Sequence, residues 1–171
     1  GLDALIDEVL QRFRAHYDAH LIVDTVPYPT VPETLAALAR PGRTMGIATN
    51  KPGAWARRIA KALGFAAHIG AGDGDWEPWV LGEDDVGRRK PDPTLPLHLC
   101  TRAGGSPRRT LYVGDSLIDM RTAEAAGMDL ALCTYGYLDP ATRAQVDAGQ
   151  APTPLRWTLD RLGALPTLLD G

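Results

Sequence analysis

The sequence predicts an α/β fold in which helices cover both faces of a parallel sheet. Short apolar runs that suit buried strands alternate with helical patterns along most of the chain. The clearest strand candidates are "TMGIAT", "TLYVGDS" and "LALCTYG". With 171 residues and 44% hydrophobic content, the chain has enough apolar material for one globular domain with its own core.

The individual helices follow from local patterns. Apolar residues at three- and four-residue spacing predict an amphipathic helix over residues 2–17, and the prolines of "TVPYPTV" predict an extended linker after it. Thr30 stands three residues before Glu33, which is the spacing of a capping box and predicts the start of another helix. Further helices are predicted over residues 53–63, "LIDMRTAEAAG", "PATRAQVDAG" and "LRWTLDRLGALPTLL". We therefore divide the chain into residues 1–29, a helix with its linker, and residues 30–171, the core.

Composition argues against several classes of partner. A net charge of −3 provides no broad positive surface for nucleic acid or anionic lipid. No run approaches the roughly 18 apolar residues of a membrane span, and the N-terminus lacks the layout of a signal peptide, so we expect a cytoplasmic protein without a membrane partner. Cys100 and Cys133 are isolated in apolar stretches, so we expect core residues in a reducing compartment.

Polar residues that suit phosphate chemistry end or follow the predicted strands. They are Thr49, Asn50 and Lys51 after the first strand, Lys90 in "GRRKPDP", and Asp115, Ser116 and Asp119 after "TLYVG". Ligands of parallel α/β sheets bind beyond the carboxyl ends of the strands. Hydroxyl and amide donors with a lysine suit phosphate oxygens, and two carboxylates suit a hard cation such as Mg²⁺. This combination indicates phosphoryl chemistry.

Each of these features also has a purely structural explanation. A Thr-Asn pair after a strand often caps a helix, and a loop lysine is often solvated. Asp115 and Ser116 suit a helix N-terminus, where the helix dipole also favours Asp119. The order and spacing of the whole set, rather than any one residue, favour the functional interpretation.

The order of the motifs resembles a known family. "GIATNKP", "RRKPDP" and "YVGDSLIDMRTAEAAGM" are similar to the second, third and fourth motifs of the haloacid dehalogenase superfamily. "TVPYPTVPETLAAL" and "TYGY" resemble its phosphoglycolate phosphatase-like branch. The resemblance implies a Rossmann-like three-layer α/β/α core, with residues 2–17 as the remnant helix of a helical cap. It also implies a Mg²⁺-dependent phosphatase that acts on a small phosphorylated metabolite through an aspartyl-phosphate.

The resemblance assigns roles to five residues. Thr49 would hydrogen-bond the transferring phosphoryl group, and Asn50 would help to hold substrate or phosphate. Lys90 would neutralise charge on the phosphoryl oxygens and the nucleophile. Asp115 would bind Mg²⁺ directly, and Asp119 would complete the metal site directly or through water.

The nucleophile of this family normally lies in a DxDG(T/S) sequence after an N-terminal apolar strand, and residues 1–17 contain no such sequence. Asp73 and Asp75 in "GDGDW" have D-x-D spacing but lack the Gly and the Thr or Ser that should follow, and Asp24 lacks a second acid. We therefore expect the central nucleophile strand to be absent and the chain alone to be inactive.

Two consequences of this absence remain open from sequence. We expect the chain to belong to a longer polypeptide, or a segment of another chain to fill the gap, and the apolar face of residues 2–17 also leaves a homo-oligomer open. The alternative function is a nucleophile-free module that binds phosphate or a partner.

Two further features have competing interpretations. Trp76 and Trp79 lie in a long loop before Lys90 and could form a substrate-gating flap, although packing against the body is favoured. His16 and His20 are four residues apart and could share a metal, but no third ligand stands near them and solvated or capping roles are favoured.

Overall fold

The computed structural model describes residues 1–72 and 74–171 of the chain. The α-helices are α1 (Leu2–Ala19), α2 (Val31–Leu38), α3 (Gly53–Ala62), α4 (Glu83–Val86), α5 (Thr94–Arg102), α6 (Leu117–Ala126), α7 (Pro140–Asp147) and α8 (Leu165–Asp170). The strands are β1 (Ile47–Ala48), β2 (Val80–Leu81), β3 (Leu111–Gly114), β4 (Asp129–Cys133) and β5 (Trp157–Leu159). Short 3₁₀ turns cover Phe65–Ala67, Glu77–Trp79, Pro107–Arg109 and Leu162–Ala164.

The strands form two separate parallel sheets. β1 pairs with β2, with Ile47 opposite Val80, and the second sheet has the order β3-β4-β5. Within the described residues no strand joins β1 to β3. The predicted α/β fold with parallel strands is confirmed, and the sheet is interrupted where the central strand was expected to be absent.

Helices cover both faces of the larger sheet. Successive side chains of a strand point to opposite faces, and β4 shows this directly. Leu130 and Leu132 pack in a cluster with residues of α6, whereas Ala131 and Cys133 pack in a cluster with residues of α2 and α8. The core is therefore three layers deep around β4, as the fold class requires.

β1 has one unpaired edge. The Thr49 N–H donates to the Leu81 carbonyl at 3.0 Å, and the Met45 N–H donates to Gly70 at 3.2 Å. Because consecutive N–H groups of a strand point in opposite directions, Gly46 and Ala48 direct theirs away from β2. Gly46 is exposed and Ala48 only half-buried, whereas a central parallel strand is normally covered on both sides.

The C-terminal segment corrects the predicted helix over "LRWTLDRLGALPTLL". Leu155, Leu159, Leu162 and Leu165 have helical spacing. Trp157 and Thr158, however, are residues that favour strands, and β5 pairs with β4 through Ala131 opposite Trp157. The pairing with β4 buries Leu159 to 1% exposure, and this outweighs the local helical pattern. Within this segment an α-helix forms only at α8.

The capping box predicted at Thr30 and Glu33 is wrong. Thr30 does stand at the N-cap of α2, but its φ of 69° is left-handed and its side chain makes no capping hydrogen bond. The Thr30 hydroxyl accepts instead from the Gly163 N–H at 3.0 Å. The side chain therefore joins α2 to the C-terminal segment rather than stabilising the first turn of the helix.

The long loop before Lys90 contains a strand that the sequence did not predict. Val80, at 0% exposure, and Leu81 form β2, and Trp79 just before it is buried at 8% exposure. The Trp79 ring lies against Gly70, and the Arg102 guanidinium sits 5.8 Å from its centre. Trp76 is half-buried in the same cluster. These contacts favour packing over the gating flap.

The first helix packs on the core only at its C-terminal end. Leu2, Leu5, Val9 and Phe13 are all more than half exposed, and the α1 segment, which is described throughout, contains no buried residue. The predicted helix is confirmed, and from Leu2 to Phe13 its apolar face has no partner on the core among the described residues. No helix in the described ranges has the length and apolarity that crossing a bilayer demands.

We predict that Met120→Ala lowers the free energy of unfolding by about 2 to 5 kcal/mol, because the side chain is fully buried between α6 and the sheet. Ile118→Ala on the same helix is the matched control, since Ile118 is 46% exposed and its loss should cost less than about 0.5 kcal/mol. Chemical denaturation measures both values. Equal losses for the two variants would contradict the packing of α6 described above.

Candidate active site

The backbone of Lys90 is fixed by the side chain of Asn50. Asn50 directly follows Thr49 at the end of β1, and its Oδ1 accepts from the Lys90 N–H at 2.7 Å. Its Nδ2 donates to the Lys90 carbonyl at 3.0 Å. Asn50 thus uses both ends of its amide to hold the lysine loop against the end of β1. Its predicted contact with substrate remains a prediction, since the observed contacts give it a positioning role.

The Lys90 side chain reaches across to the second sheet. Its Nζ lies 2.7 Å from Asp119 Oδ1, and both side chains are largely buried, at 14% and 8% exposure. Asp119 belongs to the first turn of α6, which follows β3. Lys90 therefore connects the carboxyl ends of β1 and β3 across the interruption in the sheet.

Both carboxylate oxygens of Asp119 are occupied. Oδ1 also accepts from the Tyr112 hydroxyl at 3.1 Å, and Oδ2 accepts from the Ser116 hydroxyl at 2.6 Å and the Asp115 N–H at 3.2 Å. Burial by itself would raise the pKa of Asp119, but the Lys90 ammonium and these hydrogen bonds hold that pKa below its usual value. Asp119 is thus an ionised carboxylate that positions its neighbours.

Asp115 is in a different electrostatic state. Its pKa is raised above the usual value by burial and then by the negative charge of Asp119. Oδ2 accepts from the Tyr137 N–H at 3.3 Å, whereas for Oδ1 the described residues supply no hydrogen-bond donor. Asp115 therefore has an oxygen available to a ligand, and a bound cation would relieve its repulsion with Asp119.

Two glycines make this close approach feasible. A Cβ on Gly136 would lie 2.1 Å from Asp115 Oδ2, and one on Gly114 would lie 2.3 Å from the Asp119 Cβ. Contacts this short are sterically forbidden, so any larger residue at either position would displace a carboxylate. The loop after β4 and the last residue of β3 are thus shaped around the two acids.

Thr49 is the least connected of the predicted site residues. Its Oγ1 accepts from the Lys51 N–H at 3.2 Å, and this is the only hydrogen bond of its side chain with described residues. It joins Lys90, Asp115 and Asp119 only through its neighbour Asn50. Its hydroxyl hydrogen is therefore available to a ligand at this edge of the sheet.

The acid pair suits a hard cation in its chemistry but supplies only part of a coordination shell. Mg²⁺ prefers oxygen ligands, and Asp115 offers an oxygen atom that the described protein does not use. The Asp119 carboxylate already accepts four hydrogen bonds, so of its two predicted modes of metal binding, contact through water fits the structure better than direct contact. No cluster of three or more His, Cys, Asp or Glu residues with metal-binding geometry occurs in residues 1–72 and 74–171.

The weaker candidates from sequence stay apart from this site. Asp24 and Asp75 are exposed and follow no strand, and Asp73 lies outside the described residues. The His16 and His20 rings stack at 4.1 Å, and His20 Nδ1 contacts the His16 carbonyl, which agrees with a local role at the end of α1.

Sequence reasoning missed Tyr112 and the aromatic contact behind the site. Tyr112 is buried on β3, and only the fold shows that its hydroxyl meets Asp119. Tyr28 of the linker packs edge-on against Tyr135 of the loop after β4, with ring centres 5.1 Å apart. These two tyrosines come from "TVPYPTV" and "TYGY", which both resemble the same branch of the family. That shared resemblance was the one sign in the sequence that the two segments belong together.

A family model described as haloacid dehalogenase-like hydrolase matches residues 1–127. An N-acetylmuramic acid 6-phosphate phosphatase of Pseudomonas aeruginosa is 35% identical over 135 residues, which are 79% of this chain and 56% of that protein. A phosphoglycolate phosphatase of Mesorhizobium japonicum is 35% identical over 80% of this chain and 57% of its own length. This chain therefore spans little more than half the length of these relatives.

Solved structures show the same architecture. A predicted phosphoglycolate phosphatase from Haemophilus somnus superposes with a TM-score of 0.78 at 28% identity, covering 93% of this chain and 64% of that one. A haloacid dehalogenase-like protein of Agrobacterium tumefaciens has a TM-score of 0.73 at 22% identity over 95% of this chain and 68% of that one, which supports the fold alone.

We predict that Lys90→Met lowers the free energy of unfolding by about 3 to 5 kcal/mol at pH 7, because Asp119 is left as an unpaired buried carboxylate. The folded-state pKa of Asp119 is lowered in the wild type, so its stabilising contribution is complete above the unfolded pKa of about 4 and is lost as pH falls further. In the variant, burial without the lysine raises the pKa of Asp119, so this carboxyl takes up a proton at a higher pH than in the wild type. The gap between the two proteins should therefore narrow as the pH falls toward about 4 and below it.

Arg89→Met is the control, because Arg89 adjoins Lys90 in the chain. Arg89 forms an ion pair with Glu83, but the Arg89 side chain is 70% exposed, so the loss of this pair should cost less than about 1 kcal/mol. Denaturation curves between pH 3 and pH 8 measure both variants. A loss in Lys90→Met that does not change with pH would contradict the ion-pair account.

Proposed function

Because this chain belongs to the haloacid dehalogenase-like hydrolase family, we propose that its site serves a phosphatase that hydrolyses small phosphomonoesters. The observation that carries the proposal is the position of Lys90. Asn50 fixes its backbone at the end of β1, and its ammonium meets Asp119 beyond the end of β3. A largely buried lysine paired with one carboxylate, together with a second carboxylate and a threonine hydroxyl at the ends of the neighbouring strands, suits a phosphoryl group with a metal ion.

In this proposal each residue acts on a distinct part of the reacting group. The Thr49 hydroxyl donates to a phosphoryl oxygen, and the Lys90 ammonium neutralises charge that builds on the phosphoryl oxygens. Asp119 keeps Lys90 extended into the site and orients Asp115 through its backbone N–H. Asp115 holds Mg²⁺, which when bound supplies further positive charge to the phosphoryl oxygens.

We further propose that an aspartate outside the 171 residues is the nucleophile and forms an aspartyl-phosphate that water then hydrolyses. The support is the interruption of the sheet. Thr49 and Asp115 directly follow β1 and β3, the two strands whose outer edges have no partner among the described residues, so a strand between them would end beside the proposed phosphate-binding and metal-binding residues. The 171-residue chain alone is inactive in this account.

The proposed substrate is a small phosphorylated metabolite, and phosphoglycolate is the first to test. Relatives at 35% identity carry the names phosphoglycolate phosphatase and N-acetylmuramic acid 6-phosphate phosphatase. Both names denote phosphomonoesters that also carry a carboxylate.

We predict that Asp115→Asn lowers Mg²⁺-dependent phosphate release from phosphoglycolate by at least about 100-fold in a polypeptide that joins this chain to a nucleophile segment. Asp115 is only half-buried, and asparagine keeps its shape, so the folded structure should persist. Released phosphate, assayed with and without Mg²⁺, gives the result.

Asp129→Asn is the matched control, since Asp129 lies at the opposite end of β4 in an exposed ion pair with Arg156 and should leave turnover close to that of the wild type. Unchanged turnover in Asp115→Asn would contradict the metal assignment. Absence of any phosphatase activity in the joined polypeptide would favour the alternative, a module that binds phosphate or a partner without turnover.

A further inference from the structure

Lys51 is a second lysine near the end of β1, where Asn50 also holds the loop that contains Lys90. It follows Thr49 and Asn50 directly, and its backbone is held on both sides. Its N–H donates to Thr49 Oγ1 at 3.2 Å, and its carbonyl accepts from the Glu83 N–H at 3.2 Å. The position of the residue relative to the proposed phosphate site is therefore fixed, whereas its side chain is exposed.

The Lys51 ammonium has no acidic partner among the described residues. Lys90 pairs with Asp119, and the nearby Arg57 and Arg58 pair with Asp85 and Asp18. The Lys51 Nζ instead donates to the Tyr17 hydroxyl at 3.2 Å and lies 5.7 Å from the centre of the same ring. Its charge is thus held in place by neutral contacts.

Tyr17 is itself held firmly. It belongs to the last turns of α1, and its ring packs 4.9 Å from that of Trp55 on α3. The adjacent Asp18 forms an ion pair with Arg58, one turn further along α3. The end of α1 is consequently attached to the helix that follows the Thr49 turn, and its Tyr17 hydroxyl accepts from the Lys51 ammonium.

We propose that the Lys51 ammonium binds a second anionic group of the substrate, a carboxylate on the leaving-group side of the phosphomonoester, and that Tyr17 is its positioning residue. The inference rests on the proposed phosphatase function and adds a determinant of specificity to it. Thr49 and Lys90 bind the phosphoryl end, and Lys51, two residues beyond Thr49, binds the other end.

The neutral contacts of Lys51 make this exchange favourable. An exposed cation–π contact and a neutral hydroxyl acceptor hold an ammonium weakly, whereas a carboxylate acceptor gives a stronger, charge-assisted hydrogen bond. Tyr17 keeps the side chain extended without a competing negative charge. The lysine is therefore pre-positioned for an anion rather than neutralised by the protein.

The experiment compares two substrates in a polypeptide that joins this chain to a nucleophile segment. Phosphoglycolate carries the second anion, and ethyl phosphate lacks it. The ratio of their kcat/KM values should fall about 10-fold in Lys51→Met, mainly through KM for phosphoglycolate, because one charge-assisted contact is lost. Lys51→Arg should recover part of the ratio, and Tyr17→Phe should lower it to a smaller extent.

Lys61→Met is the charge-matched control, because Lys61 is exposed in the last turn of α3 and its loss should leave the ratio at the wild-type value. An unchanged ratio in Lys51→Met, or an equal fall in Lys61→Met, would overturn the inference while leaving the phosphatase function intact. Failure of the wild type to hydrolyse either ester would overturn both.

Discussion

The ion pair between Lys90 and Asp119 is the interaction on which the rest of the site depends. It joins the lysine loop, which Asn50 attaches to the end of β1, to the helix that follows β3. Since no strand of the described chain lies between β1 and β3, this polar connection replaces ladder hydrogen bonds at the carboxyl ends of the two strands. The same pairing keeps Asp119 ionised, and the negative charge of Asp119 adds to burial in raising the pKa of Asp115.

The interrupted sheet explains why the first strand is weak. β1 is two residues long and half-buried, whereas β4 has five residues and packs on both faces. A strand with one open edge loses half of its ladder and much of its covering. The apolar face of α1 is likewise uncovered, because the N-terminal part of this helix has no packing partner among the described residues. We propose that a further segment covers both surfaces.

The sequence predicted which polar residues follow the strands better than it predicted the contacts of those residues. Apolar runs followed by polar side chains place Thr49 and Asp115 at the same edge of the sheet, because parallel strands align their carboxyl ends. The hydrogen bonds of Asn50 span forty positions, so local spacing gives no sign of them. The strand β5 was mistaken for a helix because its leucines have helical spacing, and only pairing with β4 shows the difference. Tyr112 carried no polar pattern that pointed to Asp119.

In the function that we propose, the chain holds the phosphate- and metal-binding residues of a phosphatase, and a nucleophile strand from outside the 171 residues completes the site. The most direct measurement is phosphate release from phosphoglycolate with Mg²⁺ by the purified 171-residue chain, alone and joined to a segment with an apolar strand that ends in DxDG(T/S). We expect no turnover by the chain alone and Mg²⁺-dependent turnover by the joined polypeptide. Turnover by the chain alone, or none by the joined polypeptide, would contradict it.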